Sequence, residues 1–512
     1  MTWFQPKPLM LPAMLALNAE HLGAKPALIV DDETLNWAEF TGRCAAVAGA
    51  LAASGLTRGD RVGIVMDNAA ETVAALFGCV YGGFVAVPIN VSVADAAIGT
   101  MLDDSDARAV ICNGAHTARV DALRHSLDLR ALVSVQPCAG WLTFSDWVGT
   151  PAAMAAPADV TPTDECNIIY SSGTTGLPKG IVHDHRCRAA WAYDMAVALR
   201  YHPGALTLCS LGLYSNISWV AMLATILAGG TLVVARTFDA SACIEQIARL
   251  GITHSAMVPV QLQRMLADPT FAADKVRSLQ SLMCCGSPLA PVVKQQIVDQ
   301  FGSAFMELYG LTEGLVTVLQ PEQMATKLKS VGQPCPGQQI VILDNDDAPC
   351  AVGQSGEIVG RGPLQMAGYH ARDEANAAAT WVDPHGVRWL RTGDIGYLDE
   401  DGFLYLVDRK KDMIISGGQN IYPADIEAVI AAHPLVRETA VIGVASERWG
   451  ETPFAVIVGD IVDEAALIAW VNERVGKQQR IAGVQVIDEL PRNPNGKVLK
   501  RSLRERFKQL RL

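Results

Sequence analysis

Residues 62–88 read VGIVMDNAAETVAALFGCVYGGFVAVP, and residues 206–235 read LTLCSLGLYSNISWVAMLATILAGGTLVVA. In the first stretch, 62–66 is an apolar run of strand length, 70–81 is apolar with a helical pattern, and 84–88 is a second apolar run. Gly82-Gly83 between helix and strand fits a C-cap, where a positive φ costs glycine little. The second stretch gives the same order: a helix predicted over 217–228, the pair Gly229-Gly230, and a strand over 231–234. Alternation of this kind predicts parallel strands with helices packed on both faces, so the fold class is α/β, with two similar layers.

The second stretch is also the longest uncharged run, and the mean hydropathy of the chain is +0.21. Its length alone would cross a bilayer. Gly212, Asn216, Ser218 and Gly229-Gly230 interrupt it, so the reading is a buried helix and strand with no integral membrane span. The N-terminal segment carries Pro8 and Pro12 inside its apolar stretch and does not read as a signal peptide. Twelve cysteines without CxxC or zinc-type spacing suit reduced thiols in a cytoplasmic protein.

With 512 residues the chain exceeds one packing unit, and 50% hydrophobic residues exclude disorder. A net charge of −12 argues against nucleic-acid binding through bulk charge. An anionic ligand must then be held by local cations, helix N-termini or a metal ion. After Ser330 short strands dominate, predicted over 339–343, 356–361 and 404–407, as in a small β-rich subdomain. The cluster Asp408-Arg409-Lys410-Lys411-Asp412 then precedes an α/β stretch with Pro423 at a helix start. The expected organisation is a large N-terminal domain, 1–410, of two α/β layered subdomains plus the β-rich one. A smaller mobile α+β C-terminal domain, 411–512, follows.

Residues 170–180 read Tyr-Ser-Ser-Gly-Thr-Thr-Gly-Leu-Pro-Lys-Gly, after a strand predicted over 167–170. Gly173, Gly176 and Gly180 let the backbone approach a ligand, Ser171, Ser172, Thr174 and Thr175 offer hydroxyl donors, and Lys179 adds a charge. This is a phosphate loop but not a Walker A loop, because Lys179 is followed by Gly180 and no helix-starting Ser or Thr comes next. Further segments stand downstream: Tyr309-Gly310-Leu311-Thr312-Glu313, Arg391-Thr392-Gly393-Asp394, Asp408 to Ile414 with Ser416-Gly417-Gly418-Gln419-Asn420-Ile421-Tyr422-Pro423, and Pro494-Asn495-Gly496-Lys497.

In this order the segments resemble the motifs of the adenylate-forming superfamily: acyl-CoA synthetases, firefly-type luciferases and peptide-synthetase adenylation domains. The likeness spans about residues 30–507 and is greatest to the AMP-forming carboxylate–CoA ligases. It implies two steps, carboxylate plus ATP giving acyl-adenylate and pyrophosphate, then acyl transfer to coenzyme A with release of AMP. Adenylation replaces a poor leaving group by a phosphate ester. It must also join two anions against their repulsion, so cations and fixed donors should dominate the site.

By this resemblance Thr174 and its neighbours hold the β- and γ-phosphates, Glu313 ligates Mg²⁺, and Tyr309 stacks on adenine opposite Gly286-Ser287-Pro288. Gly310 and Thr312 belong to the same nucleotide site. Asp394 accepts from the ribose hydroxyls with Arg409 in support. Lys497 bridges the carboxylate and the α-phosphate, Lys411 is the hinge, and Gly417 and Gly418 border a pantetheine tunnel. Trp449 and Arg480 resemble positions that contact the CoA nucleotide. The catalytic set is thus Lys497, Glu313 and Thr174, with ATP, Mg²⁺ and coenzyme A as cofactors.

Two segments depart from the pattern. The family's Pro-x-x-His is read here as Leu211-Gly212-Leu213-Tyr214, with Tyr214 in place of the histidine, and its C-terminal Tyr-Lys-x-Pro as Gln479-Arg480-Ile481-Ala482. Tyr214, Asn216, Met257, Cys285, Gly310, Leu311, Leu315 and Val316 are the expected acyl-pocket residues. Being mostly apolar and without Arg or Lys, they suit an aromatic, alicyclic or short-to-medium aliphatic monocarboxylate better than a dicarboxylate. His183-Asp184-His185 with Cys187 matches no zinc spacing and reads as structural. The expectation is a cytoplasmic acyl-CoA synthetase of fatty or aromatic acid metabolism, whose partners are a small-molecule carboxylic acid, ATP and CoA, with a homodimer as the candidate assembly. The alternatives are an adenylating ligase that loads a carrier protein and a catalytically dead ligand sensor.

Overall fold

The computed structural model describes residues 8–123, 127–149, 155–171, 178–416, 419–461, 463–492 and 496–511. They pack as two compact units, one of residues 1–328, 334–339 and 361–390, the other of 329–333, 340–360 and 391–512.

The first unit contains both predicted segments, the β–α–β one and the helix–Gly-Gly–strand one, and the second proves to be β–α–β as well. Strands Arg61–Val65 and Val85–Pro88 flank helix Ala70–Gly82 and pair in parallel, with Val62 opposite Ala86. Strands Leu206–Cys209 and Thr231–Val234 flank helix Asn216–Ala228 in the same way, with Leu208 opposite Val233. Gly83 and Gly229 cap the two helices at φ of +75° and +64°, the left-handed region that a side chain resists.

Each segment is the centre of a sheet. One runs Gly368–Tyr369, Lys179–Asp184, Glu165–Ser171, Val85–Pro88, Arg61–Val65, Ala107–Cys112, Ala131–Ser134 and Leu142–Thr143 in spatial order. The other contains, in order, Val316–Leu319, Phe305–Gly310, Ser281–Cys284, His254–Met257, Leu206–Cys209, Thr231–Val234, Pro26–Val30 and Glu33–Asn36. Helices Trp37–Ala53, Ala70–Gly82, His185–Ala198 and Asn216–Ala228 contribute to one continuous apolar core. Ala70–Gly82 and Asn216–Ala228 are buried nearly all round, which explains sequences apolar on every face. Phe77 lies 6.3 Å from Phe40 and 5.7 Å from Trp219 between ring centroids, joining three of these helices. Among the described residues no helix is long and apolar enough to cross a membrane.

In the second unit, residues 394–398 pair antiparallel with Leu404–Arg409, which sets Asp394 opposite Arg409. Further along, Gly450–Gly459 pairs antiparallel with Val436–Ser446 and parallel with Gly483–Val486. Side chains alternate across these strands. Val441, Ala455 and Ile457 join Ile426, Ile430 and Leu467 in one core, while Ile442, Phe454 and Val456 meet Leu503 of helix Lys500–Arg506 in another.

Gly251, at φ +68° with no atom within 4 Å of an added Cβ, isolates the conformational cost of a left-handed cap. Gly251→Ala should cost about 1–2 kcal/mol, read as a lower denaturation midpoint with an unchanged denaturant slope. Gly229→Ala should cost more, because its Cβ would fall 2.4 Å from Leu22 Cδ1.

Candidate active site

The parallel strands of the second sheet bring several predicted residues to one edge. Met257 stands opposite Cys284, and Cys284 opposite Glu307, so Cys285, Gly286, Tyr309 and Gly310 follow at neighbouring strand ends. Tyr214 and Asn216 follow Leu206–Cys209, which pairs with His254–Met257. Ligands of open α/β sheets bind beyond such carboxyl ends. Met257, Leu315 and Val316 are fully buried, while Tyr214, Asn216, Tyr309 and Leu311 are half-buried. Gly286 and Pro288 are exposed and Ser287 is half-buried, just past Ser281–Cys284. The Tyr214 hydroxyl meets Ser92, and burial raises its pKa, so it remains a neutral phenol.

Glu313 lies in the turn between Phe305–Gly310 and Val316–Leu319. Its Oε1 accepts from Tyr369 Oη at 2.9 Å, and its backbone carbonyl accepts from Met366 N at 2.9 Å. Burial and the neighbouring Glu313 charge push the Tyr369 phenol far above its ordinary value, so it acts as a donor. Next to it, Gly314 is at φ +115°, and an added Cβ would stand 2.1 Å from Leu364 O. The turn therefore requires glycine for its backbone and for its space. Sequence reading missed Tyr369; a lone Gly-Tyr pair gives no sign of its partner.

The loop residues Ser172, Gly173, Thr174, Thr175 and Gly176 lie outside the described residues, as do Gly417 and Gly418. The loop's flanks are antiparallel strands with Ser171 opposite Lys179. Lys179 Nζ lies 4.9 Å from the Tyr369 ring centroid, and Tyr170 Oη donates to Asp104 Oδ2 at 2.8 Å. Arg372 pairs with the same Asp104 carboxylate.

His183-Asp184-His185 ends strand Lys179–Asp184 and opens helix His185–Ala198. Asp184 caps helix His185–Ala198 by accepting from Cys187 N at 2.6 Å, and both histidines are buried. Among the described residues no group of three or more His, Cys, Asp and Glu could hold a metal ion. One charge escaped the sequence reading of the pocket. Arg188, fully buried, donates from Nη1 to Asn216 Oδ1 at 2.8 Å, so a cation does attend a pocket residue. It lies in a helix whose other buried residues are His185, Cys187, Trp191, Met195 and four alanines, where sequence gives no sign that an arginine points inward.

In the second unit, Arg409 Nε lies 3.2 Å from Asp394 Oδ1, and Asp394 is buried. Arg391, the first residue of the same motif, is occupied by Glu357 at 2.6 Å and Asp347 at 2.5 Å, a structural role. Half-buried Lys497 follows Gly496, whose carbonyl accepts from Arg492 Nη1 at 2.6 Å, and Arg492 bridges antiparallel to Val498. Burial, then the positive Arg409, push its ammonium down to about 7, with Asp394 and Asp412 opposing and Lys411 adding to the shift. Asp408 accepts from Ala424 N at 2.9 Å, tying the charged cluster to the start of helix Pro423–Ala431. Lys411, Trp449 and Arg480 are exposed, and Trp449 stacks under Arg448 at 4.7 Å.

A family model described as AMP-binding enzyme matches residues 15–370, and one described as AMP-binding enzyme C-terminal domain matches residues 425–497. The chain is 35% identical to 2-succinylbenzoate–CoA ligase of Geobacillus kaustophilus over 92% of this chain and 93% of that protein. It is 32% identical to the fatty acid–[acyl-carrier-protein] ligase ScoC of Streptomyces coeruleorubidus, covering 96% and 95% of the two. Its fold matches ATP-bound MatB from Rhodopseudomonas palustris with a TM-score of 0.89 at 27% identity, covering 98% of this chain and 99% of that one. The chain belongs to the AMP-binding, adenylate-forming enzymes, within the acyl-CoA ligase family.

Gly314→Ala should be severely destabilising, by about 3 kcal/mol or more from strain and overpacking together. Its Cβ meets backbone that cannot rotate away. The unfolding midpoint measures this; one within error of the parent would contradict the described turn.

Proposed function

We propose that the protein is an AMP-forming acyl-CoA synthetase that converts a carboxylic acid and MgATP to an acyl-adenylate and pyrophosphate, then transfers the acyl group to coenzyme A. The observation that carries the reading is Lys497 beside Asp394 and Arg409 in the second unit, a buried-side cation whose proton is held loosely. In water an ammonium is heavily solvated. One already partly desolvated gains more from meeting anionic oxygens, which is the condition for stabilising charge as a phosphate ester forms.

In the first unit, Glu313 is the residue to hold magnesium. The donor set fits: a hard carboxylate oxygen with, among the described residues, a donor on Oε1 only, and no protein cage around it. Such a site suits an ion that keeps waters and substrate phosphates as its remaining ligands. Magnesium supplies charge neutralisation on the triphosphate when bound. The residues of the chain do the rest: Tyr309 and Gly286-Ser287-Pro288 take the adenine, Thr312 and the 171–179 loop the phosphates. Asp394 and Arg409 take the ribose, and Lys497 the reacting oxygens.

The division at 410/411 with Lys411 as hinge, and CoA contacts at Gly417, Gly418, Trp449 and Arg480, are part of the same proposal. Exposure of Lys411, Trp449 and Arg480 supports it. For the acid, the apolar residues beyond the strand ends favour an aromatic, alicyclic or short-to-medium aliphatic monocarboxylate. Arg188 does not alter this, since Asn167, Asn216 and His183 already engage it. Likeness to the CoA ligase of Geobacillus kaustophilus supports CoA as acceptor. Likeness to ScoC keeps a carrier protein as the second reading.

Acid-dependent pyrophosphate release tests the adenylation, and AMP release that requires CoA tests the acceptor. Lys497→Ala should lower adenylate formation on the order of 10²–10³-fold while largely sparing thioester formation from a supplied acyl-adenylate. Equal loss in both half-reactions would defeat the assigned role.

A pH profile follows from the same residue. The fraction of Lys497 carrying its proton falls as pH rises through about 7. The kcat/KM of adenylation, which reports groups of the free enzyme, should therefore decline on the alkaline side of neutrality. Lys497→Arg, charged throughout this range, should flatten that limb even where its rate is lower.

A further inference from the structure

We infer that Arg188 and His183 form a relay that positions the Thr312-Glu313 segment, an inference that rests on reading Glu313 as the magnesium ligand. Arg188 Nε donates to Asn167 Oδ1 at 2.8 Å, Nη1 to Asn216 Oδ1 at 2.8 Å, and Nη2 meets His183 Nδ1 at 3.1 Å. A guanidinium has only donors, so His183 Nδ1 must accept. The imidazole proton is then on Nε2, which donates to the Thr312 carbonyl at 2.8 Å. The tautomer is thus fixed by the arginine, and burial together with the adjacent positive charge keeps the ring neutral, well below its ordinary pKa.

The consequence for Glu313 is geometric. Its preceding carbonyl is held by His183 from strand Lys179–Asp184, its own carbonyl by Met366 N, and its carboxylate by Tyr369 Oη. Of these contacts, only the first carries a buried charge behind it. Arg188 is fully enclosed, its guanidinium lies 5.0 Å from the Trp219 ring, and among the described residues its three hydrogen-bond acceptors are all neutral. A buried cation without a counter-anion is costly for folding. The same charge polarises the imidazole and strengthens the Nε2–H bond to Thr312. Groups behind a metal ligand that fix its orientation set metal affinity, and this chain achieves that fixation through the backbone next to the ligand.

The test is metal affinity, separate from turnover. Free Mn²⁺ is measured by its electron paramagnetic resonance signal in the presence of enzyme and a non-hydrolysable ATP analogue, with the unfolding midpoint recorded for each variant. His183→Leu and Arg188→Met should weaken Mn²⁺ binding about tenfold or more. His183→Gln accepts from Arg188 and donates to Thr312 with one neutral side chain, and should restore affinity to within about twofold of the parent. A role in stability alone would lower the midpoint in His183→Leu and leave Mn²⁺ affinity where it was, and that result overturns the relay. Should the Leu and Met forms fail to fold, Arg188→Lys carries the test, since it keeps the charge but offers one nitrogen for three acceptors. Parental Mn²⁺ affinity in Arg188→Lys overturns the relay as well. Glu313→Gln separates the two levels. If it weakens Mn²⁺ while the relay variants do not, only the relay is wrong; if it does not, the ligand assignment fails and the relay with it.

Discussion

Glu313 stands just beyond strand Phe305–Gly310, and the donor that holds its carboxylate is a neutral phenol. That choice matters electrostatically. An arginine or lysine in the same place would neutralise the carboxylate and compete with a cation for it. Among the described residues Glu313 has no ion pair, and nearby Lys179 lies against the Tyr369 ring instead. The turn that presents Glu313 is closed on its other side by Gly314 against Leu364. The chain at this point can vary neither its backbone nor its spacing, and the proposed metal and phosphate chemistry depends on that rigidity.

The parts of this arrangement legible in the sequence are local ones. Helix–Gly-Gly–strand order at 70–88 and 217–234 announced parallel layers because a cap glycine and an apolar run need only near neighbours to be read. The strand order was not legible. Pro26–Val30 pairs with Thr231–Val234 across some two hundred residues, and nothing in either pentad or tetrad encodes that partner. The candidate site divides the same way. Glu313, Asp394, Arg409 and Lys497 could be named because each belongs to a distinctive run of residues. Tyr369, His183 and Arg188 could not be assigned their partners, since a buried donor is defined by what folds against it. Arg391 shows the converse. It belongs to a run as distinctive as Asp394 does, yet its guanidinium is consumed by Glu357 and Asp347.

The two units treat their cations differently. In the first, burial lowers the pKa of Arg188 only to about 10, so this guanidinium under Trp219 keeps its charge at physiological pH. In the second, burial and then the neighbouring Arg409 lower the pKa of the Lys497 ammonium to about 7, against the opposing Asp394 and Asp412, so its charge becomes conditional near neutrality. The contrast follows from the chemistry of the groups. A guanidinium spreads its charge over three nitrogens and tolerates enclosure, whereas an ammonium concentrates it and releases a proton when stripped of water. A permanent charge suits the fixed backbone behind Glu313. A conditional one suits a residue proposed to meet anions only when substrates are present, because the incoming negative charge itself restores the proton. Placing the enclosed guanidinium behind the loop and the loosely protonated lysine at the proposed point of reaction means that the binding energy of the anions is spent where bonds change, rather than on holding the frame.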